Sequence, residues 1–93
     1  MFERLVLHGA RASLVWGYRT VATVTEWRIA KHDGTWRLAA KLTQADRFQC
    51  QQAVKLKELH FTAPRDNGRW CWELVDVMVG TTELRAQLGQ PLQ

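Results

Sequence analysis

Two short segments of the chain carry the strongest sequence signals for tight β-turns, Asp33-Gly34 and Asn67-Gly68. Each lies between runs rich in β-branched and aromatic residues. In each case one residue separates the glycine from a tryptophan, Trp36 or Trp70. Asp-Gly and Asn-Gly suit the type I′ turn because both of its central residues need a positive φ. The sequence therefore predicts two antiparallel β-hairpins, each with a tryptophan close to its turn.

The first predicted hairpin joins a strand over residues 21–31 to a return strand over residues 35–43. A two-residue loop places apolar residues on one face and an opposite-charge pair on the other, and a slip of one residue would destroy both features. We expect Val21, Thr23 and Thr25 to share the face of Trp27 and Ile29. The predicted pairs are Thr25 with Leu42, Glu26 with Lys41, Trp27 with Ala40, and Ile29 with Leu38.

The second predicted hairpin is less regular. Its first strand covers residues 54–63, and a change of apolar phase near Lys57-Glu58 predicts a β-bulge or a strand that crosses between faces. A two-residue loop at Asn67-Gly68 places Phe61 opposite Leu74 and Ala63 opposite Trp72. It also puts Pro64, which has no N–H, at a ladder position. Either the pairing stops at Ala63 or the loop is longer and covers residues 64–68.

The last third of the chain predicts a central strand followed by a short helix. The strand covers residues 69–79 and has apolar residues in both phases, so we expect burial on both faces. Gly80 ends it. Thr82 to Leu88 then has the spacing of a helix, with Leu84 and Leu88 on one stripe and Gly89 and Pro91 after it.

The remaining segments are predicted with alternatives. Leu5-Val6-Leu7 indicates a short strand, residues 10–15 fit a strand or the start of a helix, and Gly17 marks a bend. Residues 44–53 fit a loop, a short helix or a strand extension. Together these elements predict one domain over residues 1–93, all-β or β-dominated α+β. Its architecture would be a small antiparallel barrel or bent sheet of five or six strands with a short C-terminal helix.

Charge and cysteine content narrow the function classes. Thirteen Lys and Arg against nine Asp and Glu give a net charge of +4, which favours an anionic partner, most commonly nucleic acid. Neither a leader segment nor an apolar run of membrane-spanning length is visible, so we expect a cytoplasmic protein that does not enter membranes. In that reducing setting Cys50 and Cys71 would be free thiols, although a disulfide would form if they lay opposite each other.

Signals for enzyme chemistry are weak. The two cysteines and three histidines lack zinc-ligand spacing, and no glycine-rich phosphate loop occurs, so we expect no metal and no cofactor. Cys71 between Trp70 and Trp72 is more typical of a packed structural thiol than of a nucleophile. A catalytic site would require a pocket that unites Cys71 with His60 and Asp76. We therefore predict a non-catalytic protein.

Basic and aromatic residues at the two turns suggest a binding site instead. Exposed aromatic rings that stack on bases, with Arg or Lys on the phosphates, are how small β-barrels hold single-stranded nucleic acid. The alternative is that Trp36 and Trp70 close the core while the charges keep the turns soluble. A second candidate patch on the outward face of the first hairpin comprises Arg28, Arg37 and Lys41, diluted by Glu26. The predicted nucleic-acid-binding residues are Lys31, Trp36, Arg37, Arg65, Arg69 and Trp70.

Three segments carry a resemblance: residues 61–65 (Phe-Thr-Ala-Pro-Arg), Trp70-Cys71-Trp72, and residues 84–91, from Leu84 to Pro91. In them the chain resembles small proteins of unknown activity that phages and prophages encode. The resemblance covers roughly the C-terminal third and implies only a context, in which accessory proteins bind nucleic acid or host proteins without catalysing a reaction.

The sequence thus predicts a small basic β domain that binds single-stranded DNA or RNA through its hairpin turns. The alternative function is a protein–protein interaction module, either an inhibitor of a host or phage protein or an assembly subunit that forms homo-oligomers. Exposed Trp and Arg are common interface anchors, and Leu5-Val6-Leu7 could pair with another chain at a sheet edge.

Overall fold

The computed structural model describes the backbone of residues 2–8, 11–65, 68–80 and 82–92, and the side chains of residues 11–24, 26–43, 46–64, 69–80 and 82–92. Seven strands form one antiparallel sheet, so the predicted β-dominated class is confirmed, while the predicted five or six strands are too few. The elements are β1 Phe2–His8, β2 Ala12–Trp16, β3 Arg19–His32, β4 Thr35–Ala45, α1 Arg47–Lys55, β5 Leu59–Arg65, β6 Gly68–Val79 and β7 Glu83–Pro91.

The sheet closes on itself. Its strand order is β1-β3-β2-β5-β6-β7-β4, and β4 also pairs with β3. Because a strand has only two edges, β1 and β2 must follow one another along the edge of β3 that β4 does not occupy. Six strands, β2 to β7, therefore form a ring, and β1 extends from it along β3. Of the two predicted architectures, the ring corresponds to the barrel.

The first hairpin has the predicted turn and, near that turn, the predicted register. Asp33 and Gly34 have φ values of 53° and 80°, the positive pair that a type I′ turn requires. Residues Glu26, Trp27 and Ile29 face Lys41, Ala40 and Leu38 as expected. Lys41 Nζ lies 3.7 Å from Glu26 Oε2. Turn chemistry and side-chain pattern therefore agree over this half of the hairpin.

Farther from the turn, a β-bulge at Thr25 corrects the prediction. Leu42 pairs with Val24 and not with Thr25. The extra residue shifts the inward phase of β3, so Ala22 and Val24 are buried while Thr23 is only partly buried. The prediction placed Thr23 and Thr25 on the inner face because it continued the alternation of Trp27 and Ile29 without interruption.

The second hairpin has a register that differs from the predicted one by two residues. Phe61 pairs with Trp72 and Ala63 with Trp70, and pairing continues to Arg65 with Gly68. The predicted loop at Asn67-Gly68 is therefore wrong for Gly68, which is a strand residue, whereas residues 66 and 67 lie outside the description. Pro64 is accepted in the ladder because the β2–β5 pairing on the other edge ends at Thr62, so that edge requires no N–H from it.

Strand β6 is not buried on both faces. Trp72 and Leu74 are buried, but Val75 is 56% exposed and Met78 is 68% exposed. The ladder to β7 shifts on both sides of Leu74, which places an extra residue at Val75 in β6 and another next to Gly89 in β7. The bulge changes which alternate residues of β6 point inward. Apolar residues therefore occur in both phases of the sequence, and this pattern led to the prediction of two buried faces. A Cβ on Gly89 would lie 2.7 Å from Val75 Cγ2, so the close approach requires glycine.

The predicted C-terminal helix over Thr82 to Leu88 is wrong, because this segment forms most of strand β7. Leu84, Ala86 and Leu88 are buried and the residues between them are exposed, which is the period of two that a half-buried strand shows. The spacing of Leu84 and Leu88 alone fits either a helix or a strand. The burial of Ala86 between them identifies a strand. Pairing with both β4 and β6 makes this strand the element that closes the ring.

The one helix in the described part of the chain lies earlier, at α1. Its N-cap is Asp46, whose Oδ1 accepts a hydrogen bond from the Gln49 N–H at 3.0 Å. Cys50 and Ala53 are fully buried against the sheet. A helix was one of the predicted alternatives for residues 44–53. The predicted strand over residues 54–63 is wrong in its first part, because Val54 and Lys55 belong to the helix and a turn with Lys57 at φ 57° precedes β5.

The ring encloses one hydrophobic core that contains no buried charged or polar residue among those described. Residues from every described strand except β1, whose side chains lie outside the description, and from α1 contribute to it. Within the residues described, no helix is long and apolar enough to cross a membrane. The fully buried side chains of largest volume are Phe61, Leu14, Ile29, Leu59, Leu84, Val24 and Cys50.

Candidate nucleic-acid interface

The two hairpin turns lie at the same end of the sheet. Strand β2 pairs antiparallel with both β3 and β5, so β3 and β5 run in the same direction. The turn at Asp33-Gly34 follows β3, and the connection between Arg65 and Gly68 follows β5. Helix α1 lies at the other end, where the Asp46 N–H donates to the Val21 carbonyl near the start of β3. The fold therefore brings together two segments that are far apart in sequence.

Three tryptophans form a continuous group at this end, and we call Trp36, Trp70 and Trp72 the aromatic cluster. The ring centroids of Trp36 and Trp72 are 5.5 Å apart with an interplanar angle of 56°. Those of Trp70 and Trp72 are 6.3 Å apart and nearly perpendicular at 85°. Both geometries are favourable for aromatic pairs. Trp72 therefore links the tryptophans of the two turns.

Strand alternation explains how the cluster forms. Trp36 occupies the same inward phase of β4 as the buried residues Leu38 and Ala40. Trp70 and Trp72 occupy the inward phase of β6. Trp72 is 5% exposed, whereas Trp36 and Trp70 are partly buried and pack against the core. The expectation that these two tryptophans close the core is met in part, since each also keeps some surface in contact with solvent.

Lys31 adds a positive charge to the cluster. It pairs with Trp36 across the first hairpin, and its Nζ lies 5.7 Å from the centroid of the Trp36 ring. A cation at this distance from an indole face is attracted by the negative charge of the ring face. A predicted aromatic residue and a predicted basic residue therefore occupy one site.

The indole N–H of Trp72 is buried and has no hydrogen-bond acceptor among the residues that the structure describes. An unpaired buried donor costs about 1–3 kcal/mol of stability. The centre of the aromatic cluster therefore contains a donor that the folded chain does not use. Trp72 was not among the predicted site residues. Its position two residues after Trp70, in the same strand phase, was the signal that could have identified it.

The predicted arginines lie around the cluster rather than in it. Arg37 and Arg69 are exposed, and each is the chain neighbour of a cluster tryptophan, so it projects from the opposite face of its strand. The backbone of Arg65 belongs to β5, and its side chain lies outside the description. Of the six predicted residues, the structure thus brings Lys31, Trp36 and Trp70 together and places Arg37 and Arg69 beside them.

The second predicted patch gains a residue from the corrected C-terminal strand. Arg28, Arg37 and Lys41 are exposed on the outward face of the first hairpin, as predicted. Arg85 of β7 joins them, because it pairs with Ala39 at the centre of this face. The sequence analysis missed Arg85 by treating its segment as a helix, although the alternation of Leu84, Ala86 and Leu88 would have placed it.

The residues considered for catalysis occupy different positions along β5 and β6. Cys71 pairs with Thr62, whose Oγ1 lies 3.8 Å from Cys71 Sγ, and His60 pairs with Glu73. Asp76 lies beyond the bulge of β6 and is exposed. Among the described side chains, no group of three His, Cys, Asp or Glu residues could hold a metal ion.

The two cysteines are free and have different surroundings. Cys50 is fully buried in α1, where its Sγ lies 3.7 Å from the Val21 carbonyl oxygen. Burial raises the pKa of the Cys50 thiol, and the nearby Asp46 carboxylate raises that pKa further. Cys71 is only partly buried. The two thiols therefore form no disulfide, and Cys50 stays protonated at neutral pH.

A shallow groove lies at the helix end, away from the aromatic cluster. Trp16, Tyr18, Arg19 and Gln49 line it. The Tyr18 side chain is fully exposed, and the Trp16 indole N–H donates to Glu58 Oε2 at 3.2 Å. Arg19 pairs here with the partly buried Trp16, so this end offers matched control residues for tests of the hairpin end.

Comparison of the chain with known protein families, with curated proteins and with solved structures finds no match. The resemblance of the C-terminal third to phage-encoded proteins therefore stays a prediction. Function has to be argued from the geometry of the chain itself.

Proposed function

We propose that this protein binds single-stranded DNA or RNA at the aromatic cluster. The observation that carries the proposal is the contact of Trp36 and Trp70, through Trp72, at the end of the sheet where both hairpins turn. The two outer rings keep accessible surface, and Lys31 lies over one of them. A base can stack on an accessible indole face while a neighbouring cation approaches its phosphate.

The surrounding groups suit the rest of a nucleotide. Arg37 and Arg69 are exposed next to the cluster, where guanidinium groups can pair with phosphate oxygens. Stacking tolerates every base because each has a π face, so we expect little sequence preference. No chemical step is required of any residue.

A fluorescence titration tests the proposal directly, because the rings that would stack are tryptophans. Homopolymer oligonucleotides of DNA and RNA are added at several salt concentrations. Binding is expected to quench the emission and to weaken linearly in log salt concentration, with a slope of about −0.7 per phosphate contact. No binding at low salt overturns the proposal, and binding without salt dependence overturns its phosphate contacts.

Substitutions identify the stacking residues. Trp36→Leu and Trp70→Leu keep an apolar side chain at the edge of the core but remove the indole. Stacking contributes about 1–3 kcal/mol per base, so each variant should bind about 5- to 150-fold more weakly. Trp16→Leu is the matched control, since Trp16 is a partly buried tryptophan at the opposite end. Equal losses in all three variants would argue against the aromatic cluster as the site.

One observation favours the alternative, a protein–protein interaction module. Among the described ladders, β1 pairs only with β3, so its other edge is open. An open edge can accept a strand from another molecule. Light scattering in the absence of nucleic acid tests this function. A stable homo-oligomer that a proline substitution at Val6 dissociates would support it, whereas a monomer at all concentrations would oppose self-association through β1.

A further inference from the structure

We propose that the outward face of β3, β4 and β7 is a phosphate-binding surface that continues from the aromatic cluster and carries the backbone of the bound strand. The surface consists of Arg28, Arg37 and Arg85 around Ala39, and we call it the arginine face. The inference rests on the proposed function for the identity of the ligand as a nucleic acid. It adds a second contact region. Only an oligonucleotide long enough to reach both regions can therefore make all the contacts.

Strand register places the three arginines around one small residue. Ala39 pairs with Arg28 of β3 on one side and with Arg85 of β7 on the other. Arg37 precedes Ala39 by two residues, so it lies on the same face of β4. Neighbouring strands are about 4.8 Å apart, which puts the α-carbons of Arg28 and Arg85 about 10 Å from each other. Because the side chain of Ala39 is only a methyl group, the three guanidinium groups can approach one another above it.

The distribution of acidic residues leaves these arginines available. In the next row toward the helix end, Lys41 pairs with Glu26 and with Glu83. Lys41 Nζ lies 3.7 Å from Glu26 Oε2, so these two charges offset each other. Of the three arginines, only Arg85 forms an ion pair within the described chain, at 3.7 Å from Glu83. That pair is exposed and weak. Among the described side chains Arg28 and Arg37 form no ion pair, although the charge of Arg37 also acts on the exposed Asp33 carboxylate at the turn.

Phosphate is the ligand chemistry that this face suits best. Exposed guanidinium groups bind phosphate oxygens through two parallel hydrogen bonds, and the only described aromatic ring on this outward face is that of His32, which lies at the turn and not between the arginines. Continuity with the cluster is direct, since Arg37 follows Trp36 in the chain. Ala39 lies three positions after Trp36, about 10 Å along the strand. A strand stacked on Trp36 can therefore pass over the end of β4 onto this face.

Oligonucleotides of increasing length test the inference. A ligand of about three nucleotides should reach the aromatic cluster alone, whereas one of about twelve should also cover the arginine face. Arg28→Gln and Arg85→Gln should each reduce the slope of log affinity against log salt by about 0.7 for the long ligand and leave the short one unchanged. DNA and RNA ligands are tested in parallel, since both present the same phosphates.

Two matched controls remove one positive charge each. Lys41→Gln removes a charge that Glu26 and Glu83 already balance, and Arg19→Gln removes an exposed arginine at the helix end. Both should keep the salt slope of the wild-type protein. Reductions in the controls equal to those of Arg28→Gln would show that net charge alone matters, and this result would overturn the inference.

The outcomes also separate this inference from the proposed function. If Trp36→Leu weakens binding of both ligands while Arg28→Gln and Arg85→Gln change neither affinity nor slope, the arginine face is wrong and the aromatic cluster stands. If Trp36→Leu and Trp70→Leu have no effect but the arginine variants lower the slope, the cluster is wrong and the arginine face stands. If no oligonucleotide binds at low salt, both are wrong.

Discussion

The two hairpins carry nearly the same turn sequence, yet only the first has the register that the turn predicts. In β3–β4 the residues Asp33 and Gly34 occupy the two loop positions with positive φ. In β5–β6 the glycine of Asn67-Gly68 lies in the strand, paired with Arg65. The difference shows that an Asn-Gly or Asp-Gly pair locates a hairpin but does not by itself fix which residues form the loop.

Burial alone cannot distinguish registers of the second hairpin that differ by an even number of residues. The observed register differs from the predicted one by two residues, and a shift of two keeps every side chain on the same face. Phe61 and Ala63 are buried in either arrangement, so alternation cannot distinguish the two. Trp72 contacts Trp36 only because β6 is placed as it is. Contacts between the two hairpins therefore select the register where the local sequence pattern favours two registers equally.

The largest loss of stability is expected when the contact between the two hairpins in the core is removed. Phe61 is fully buried and packs edge-on against Trp27, with ring centroids 5.4 Å apart. Phe61→Ala should reduce the free energy of unfolding by about 3–5 kcal/mol, measured by urea denaturation. Phe61→Leu, which keeps most of the volume, should cost far less. Equal costs would mean that the site collapses around the smaller residue and that the hairpins do not depend on this contact.

A smaller loss is expected at the paired bulges of β6 and β7, which have no counterpart in the first hairpin. A Cβ at residue 89 would lie 2.7 Å from Val75 Cγ2 and 3.1 Å from Glu73 Oε2. Gly89→Ala should therefore destabilise the fold by about 1–3 kcal/mol in thermal or urea unfolding. Gly80→Ala is the control, since a Cβ there meets only Glu83 O at 3.5 Å. Similar effects at both glycines would refute the role of the bulges.

The turn of the first hairpin tests whether its chemistry fixes the register. Gly34 has a φ of 80°, which an L side chain rarely adopts, and open space surrounds it. Gly34→Ala should cost about 1 kcal/mol from backbone strain alone, measured by urea denaturation. Gly34→Asn should cost less because asparagine tolerates positive φ. Identical losses for the two variants would indicate that strain at this residue is not the cause.

The smallest effect concerns thiol reactivity and leaves stability unchanged. Cys71 on the second hairpin is partly buried, whereas Cys50 is fully buried with a raised pKa. In native protein at pH 7.5–8.5, iodoacetamide should modify Cys71 first, since alkylation requires an accessible thiolate. Mass spectrometry of the wild type and of Cys71→Ser gives the site. Faster labelling of Cys50 would show that helix α1 opens readily.

Much of the fold was accessible from sequence, and the errors in strand phase have one physical origin. Regular alternation predicted the first hairpin, the strand at Leu5-Val6-Leu7 and the β-dominated class. Three bulges, at Thr25, Val75 and Gly89, change the phase of β3, β6 and β7, and a single inserted residue leaves no composition signal. In β7, Gly89 at the bulge and Pro91 after it resemble the signals of a helix end. The strand that closes the ring was therefore predicted as a helix.

The candidate site was accessible only in its parts. Lys31, Trp36 and Trp70 were identified by residue type and by their distance from the turns. Their contact through Trp72 depends on β3 and β5 running in the same direction, which is a consequence of topology. Arg85 joins Arg28 and Arg37 only across a ladder whose partners are more than forty residues apart. Sequence patterns report local period and cannot show such long-range pairing.

Closure of the sheet has a consequence for how the protein comes apart. A ring has no free edge from which to unzip, so it must open at one of its seams, and the β2–β5 ladder is the shortest, with four paired residues from Ser13 to Trp16. Strand β3, by contrast, pairs with three strands, β1, β2 and β4, over nearly its whole length. Backbone amides along the β2–β5 seam should therefore exchange with deuterium before those of β3, which would be the last to be released.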